Sequence, residues 1–177
     1  MADMLAHSPS LPLVIDYRYQ HITAKDEEAI ILALEQRDRV RRIRFNLPVL
    51  NLQKLIMAID GEYPILKYLI LMELPENMRT VLIFPESLQI SHLRHLTINS
   101  FIPIRSPLLG MAAGLVILHI ELYHPSAYFQ PTVLLQSLSL MPQLEILLIF
   151  FHFPVPNRDI ERQLMRTREC HETQHAM

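Results

Sequence analysis

LKYLIL, Leu66–Leu71, is one of five copies of a single phrase in this 177-residue chain. VRRIRF starts at Val40, LRHLTI at Leu93, LVILHI at Leu115 and LEILLI at Leu144. All five are apolar at their first, fourth and sixth positions, and their starts fall 26, 27, 22 and 29 residues apart. A short strand written this way offers apolar side chains to one side. The chain between two such strands returns over that side, and stacking the units buries one continuous core.

LxxLxL at a period of about 20–29 residues is the leucine-rich-repeat pattern. It predicts an α/β solenoid arc: a parallel sheet of about six strands, with short helices and irregular segments on the convex side. The third and fifth positions of each phrase alternate away from the core. They are Arg42 and Arg44, Tyr68 and Ile70, His95 and Thr97, Ile117 and His119, and Ile146 and Leu148. These ten are the candidate partner-binding residues of the concave face, which grades from basic through polar to apolar.

The intervening segments fill in the scheme. PLVIDY (12–17) reads as an opening strand whose register is open, since Val14/Asp16 and Ile15/Tyr17 compete for the inner face. Thr23 precedes KDEEAIILALEQR, where an N-cap followed by Asp26, Glu27 and Glu28 suits a helix dipole. Ile30, Ala33, Leu34 and Arg37 fall at helical spacing there, as do Leu52, Leu55, Ile56 and Ile59 in the next unit, which Gly61 stops. Between Leu74 and Leu93 the period decays, and Pro75 and Pro85 predict irregular backbone. Ser106-Pro107 opens a short helix through Ala113, Pro131 another to about Leu140, and Asn157 caps a last one with Ile160 and Leu164 inward. The repeat domain is therefore placed at 11–164, between an N-terminal extension (1–10) and a disordered polar tail (165–177). The ninth repeat positions are Pro48, Leu74, Phe101, Tyr123 and His152 rather than the usual Asn, so turn backbone groups need other partners.

Composition narrows the classes. Formal charge is −2, which supplies no net field toward nucleic acid or an anionic membrane. A single cysteine, Cys170, excludes an intramolecular disulfide framework and favours a reducing compartment, cytosol or nucleus. The opening MADMLAHSPS has neither the positive charge nor the apolar core of a signal peptide. The apolar run ILLIFF is far short of the roughly 20 residues of a membrane helix, and three glycines leave no Gly-rich phosphate loop.

Several constellations have a sharper and a plainer reading. HETQH (171–175) spells the HExxH zinc-protease motif, in which a helix presents two His and a Glu base. Only Ala176 and Met177 follow it, so a downstream third ligand has no place, and adventitious metal binding with Cys170 is preferred to a zinc-dependent hydrolase. Arg37, Arg39, Arg41, Arg42 and Arg44 form the basic cluster. With Asp26, Glu27, Glu28, Glu35 and Asp38 to balance it, a solvated surface is preferred to a phosphate- or acid-binding patch, and with no aromatic residue interleaved nothing suits single-stranded nucleic acid. His95 and His119 form a diagonal about 7–8 Å long across adjacent strands. No Cys, Asp or Glu joins them in the sequence, so they read as surface or partner-contact residues rather than metal ligands. No GxSxG and no acid/base pair stands out, so no catalytic residue, metal site or cofactor is assigned.

On these residues the chain resembles the repeat region of fungal F-box/leucine-rich-repeat proteins. The resemblance spans about Ser8–Leu164 and is carried by LPLVIDY, DEEAIILALEQRDRVRRI, SPLL…GLVILHI, LLQSLSLMPQLEILLIFF and FPVPNRDIERQL. It implies a solenoid that presents protein targets to a ubiquitin ligase. Two departures qualify that implication: the F-box that precedes the repeats is missing, and the pattern stops after Leu164. They imply a fragment that cannot recruit the ligase itself, or the remnant of a longer gene. The overall expectation is a non-catalytic interaction module with a protein partner, able to self-associate through the open edge of LEILLIFF.

Overall fold

A computed structural model describes residues 11–74, 82–100, 113–123 and 131–153. The chain is α/β, with six strands in one all-parallel sheet whose spatial order follows the sequence. These are β1 (Leu13–Tyr17), β2 (Val40–Pro48), β3 (Tyr68–Leu74), β4 (His95–Ser100), β5 (Ile117–Leu122) and β6 (Ile146–Phe151). Between them run α1 (Ala24–Leu34), α2 (Val49–Ala58) and α3 (Pro131–Ser139). Each of the five phrases leads into a strand. Equal phrases give equal registers: Ile43 pairs with Leu69, Leu69 with Leu96, Leu96 with Leu118 and Leu118 with Leu147.

The first, fourth and sixth residues of the first four phrases are 0–1% exposed. Each such Leu or Ile contributes about 1.5–3 kcal/mol through burial. The same core takes Leu52, Leu55 and Ile56 from α2 and Ile30, Ala33 and Leu34 from α1. Helices therefore cover one face of the sheet and leave the other open. In β1 the competition for the inner face goes to Ile15 and Tyr17, with Val14 60% exposed.

Local chemistry sets the element ends. Thr23 Oγ1 accepts from the Asp26 amide at 3.2 Å and donates to the Asp26 carboxylate at 2.7 Å, a reciprocal cap for α1. That bond is the main reason the Asp26 carboxyl sits below its usual range. Three strands, β3, β4 and β6, are entered through a tight turn in which the first residue of the phrase donates its amide three residues back. The pairs are Leu66 to Tyr63 (3.3 Å), Leu93 to Ile90 (3.0 Å) and Leu144 to Met141 (3.1 Å). These bonds satisfy backbone groups on the entry side of the strands. The segment 82–94 has no helix or strand beyond a single Glu62–Gln89 bridge, as the broken period implies.

Some expectations need correction. Arg37 lies in the turn after α1, because the helix ends at Leu34 with Glu35 as its C-cap. Leu147 keeps the inward parity that the alternation gives it, paired with Leu118, but it is 40% exposed rather than buried, and Leu144 and Ile149 are only half-buried. The reason is that β6 has a strand on one side only, β5, among the described residues. The helix expected at 106–113 lies outside those residues but for Ala113, which is in a turn, and the helix expected from Asn157, the extension 1–10 and the tail 165–177 lie outside them entirely. No helix among them is long and apolar enough to cross a membrane.

Candidate functional site

Strand alternation and parallel register arrange the open face into rows. One row runs Arg42, Tyr68, His95, Ile117, Ile146; the next runs Arg44, Ile70, Thr97, His119, Leu148. The ten residues singled out from the phrase are thus brought onto one surface. Arg42 is exposed, Arg44 and the six residues from Tyr68 to His119 are half-buried, and Ile146 and Leu148 are 44% and 41% exposed.

At the β2 end the Arg42 guanidinium lies 4.5 Å over the Tyr68 ring, a cation–π contact. The aromatic partner missing from the linear cluster is therefore supplied by the next strand. The charges that meet these arginines also differ from the five acids expected. Arg42 and Arg44 act on Asp16, whose carboxyl is held below its usual value chiefly by a hydrogen bond from Arg18 at 2.7 Å. Arg37 instead faces Asp60 at 3.9 Å. The Arg44 Nε is buried and makes no hydrogen bond among the described residues.

In the middle, Tyr68 and His95 approach ring to ring at 5.9 Å, and His95 Nε2 is 2.9 Å from Thr97 Oγ1. Burial first, then the neighbouring His119 and Arg42, pushes the His95 imidazole below its ordinary pKa. That favours a neutral, hydrogen-bonding ring.

A third row, Asn46, Met72, Asn99, Glu121, Phe150, extends the face by two residues per strand. It holds a cluster that the sequence reading missed. Glu121 Oε2 accepts from the Tyr123 hydroxyl at 2.7 Å and from Asn99 Nδ2 at 3.2 Å. Its Oε1 lies 2.9 Å from His119 Nε2 without the alignment of a hydrogen bond, and His152 Nε2 is 3.8 Å from Oε2. Tyr123 and His152 stack at 4.2 Å, and Phe150 meets His119 edge-on at 5.5 Å. The bond to Glu121 is the largest cause of the raised Tyr123 pKa. An acid thus does join His119, contrary to the linear reading, and an imidazole–carboxylate pair does stand out. The signal was available: Glu121 is the seventh position of its phrase, on the same alternation as the third and fifth.

Chemically, this surface offers guanidiniums at one end, neutral hydrogen-bonding groups in the middle and a carboxylate among aromatic rings at the other. No three His, Cys, Asp or Glu side chains converge to hold a metal among the described residues. HETQH and Cys170 lie outside those residues. No family model, no curated protein and no solved structure matches the chain.

Proposed function

We propose that the chain is a non-catalytic protein-interaction module, a leucine-rich-repeat arc that uses the open sheet face as its binding surface. The observation that carries this reading is the in-register stack of six parallel strands, each leaving alternate side chains uncovered opposite a helix-backed core. Such a face is wide, shallow and chemically graded, which suits a protein segment better than a small molecule. The repeat phrasing resembles the substrate-binding repeats of F-box ubiquitin-ligase receptors. Presentation of protein targets, in the cytosol or nucleus, is the role that this resemblance supports.

Two substitutions test the reading. Thr97→Arg places a long charged side chain in the centre of the face, and Met57→Arg places one on exposed α2. Both variants should keep the circular dichroism of the parent. Proteins that co-purify with the parent should be lost from the Thr97→Arg variant and retained by Met57→Arg. Loss with Met57→Arg alone would move the binding surface to the helical side and refute the proposal.

A further inference from the structure

The open face has two poles of opposite charge whose separation follows from the register. Arg42 and Arg44 occupy one, and neither forms an ion pair among the described residues. Together with Arg18 they set three guanidiniums against the single carboxylate of Asp16. The buried Arg44 Nε keeps a donor unused among the described residues, and a buried unmade hydrogen bond is costly until an acceptor arrives. At the other pole Glu121 commits Oε2 to Asn99 and Tyr123, while Oε1 faces His119 Nε2 at 2.9 Å without the alignment of a hydrogen bond. A carboxylate has about four lone-pair sites, so Glu121 retains acceptor capacity. The rings of Tyr123 and Phe150 beside it can also lie against a cation.

Arg44 and His119 share a row across three strand spacings, and Glu121 lies two residues further along β5. With strands about 4.8 Å apart and a rise of about 3.3 Å per residue, the poles are on the order of 16 Å apart. The surface between them is uncharged: Ile70, Met72, Thr97 and Asn99. An extended peptide covers that distance in about five residues.

We propose that the face takes an extended peptide segment of the partner, with an acidic residue on Arg42 and Arg44 and a basic residue about five positions away on Glu121. This deepens the interaction reading and rests on it. It fixes both the partner's charges and its direction across the strands.

A random dodecamer library displayed on phage, selected on the immobilised full-length chain, tests the proposal. Enriched sequences should carry an acidic and a basic residue about five apart. An Arg42→Glu/Arg44→Glu variant should capture peptides with the acid changed to Lys and bind the original set about fivefold or more weakly. Glu121→Lys should do the converse at the basic position. Peptides that are lost with Thr97→Arg yet lack the charge pair would overturn this inference and leave the interaction reading standing. Failure to enrich any Thr97→Arg-sensitive peptide would overturn both.

Discussion

The Tyr63 hydroxyl donates to the Leu34 carbonyl at 3.1 Å, across 29 residues of sequence. Leu34 is the last residue of α1, where carbonyls lack intrahelical partners. Tyr63 is fully buried in the turn that leads into β3. One hydroxyl therefore closes the end of a helix in one repeat from the turn of the next. Tyr63→Phe should cost about 1–2 kcal/mol, lowering the melting temperature by a few degrees in a chain of this size.

The same tyrosine predicts an alkaline dependence. Burial pushes Tyr63 up to about 12 from an ordinary value of 10. A folded-state pKa above the unfolded one means that this contribution is complete below pH 10 and is lost as pH rises from 10 toward 12. The stability gap between the parent and Tyr63→Phe should therefore narrow over that window. A gap that widens would show that the hydroxyl is not held in its neutral form.

Adjacent residues in β3 should respond oppositely to charge. Leu69 is 0% exposed while Tyr68 is half-buried on the open face. Leu69→Asp places an unpaired carboxylate in the core, at a cost of about 4 kcal/mol or more. Tyr68→Asp should melt within a few degrees of the parent. Equal melting temperatures for the two variants would contradict the assignment of the faces.

Gly61 has φ of +80°, and a Cβ there would run into the Arg37 guanidinium. Gly61→Ala should destabilise by about 1–2 kcal/mol. Adding Arg37→Ala should recover the steric part and leave the backbone part. Full recovery on melting would mean that the positive φ carries no strain.

How far the sequence could be read depends on where the periodicity was clean. The five phrases set strand positions, register and the buried triplets such as Leu66, Leu69 and Leu71, because two-residue alternation leaves no ambiguity once one face is apolar. The candidate face followed from the same alternation, which also turns Phe150 outward, but stopping at the fifth position hid Glu121 and Asn99. Tyr68 over Arg42 was illegible for another reason. The two are 26 residues apart and meet only through strand pairing. Leu147 misled because its inward parity was right while the second neighbour needed to bury it is missing among the described residues.

That edge carries its own prediction. Ile146, Leu147, Leu148 and Phe150 are 40–46% exposed on β6, and an apolar edge strand is a template for pairing with another chain. Sedimentation velocity of the parent should show concentration-dependent association, reduced in Leu148→Lys. A monomer at every concentration would contradict it.

The central claim is that partners bind the open sheet face, and site-specific photo-crosslinking measures this most directly. Benzoylphenylalanine would replace Thr97 at the centre of the face or Met57 on α2, and the chain would be irradiated in cells. Discrete adducts at position 97 and none at 57 are the predicted result. Adducts at 57 with none at 97 would contradict the account.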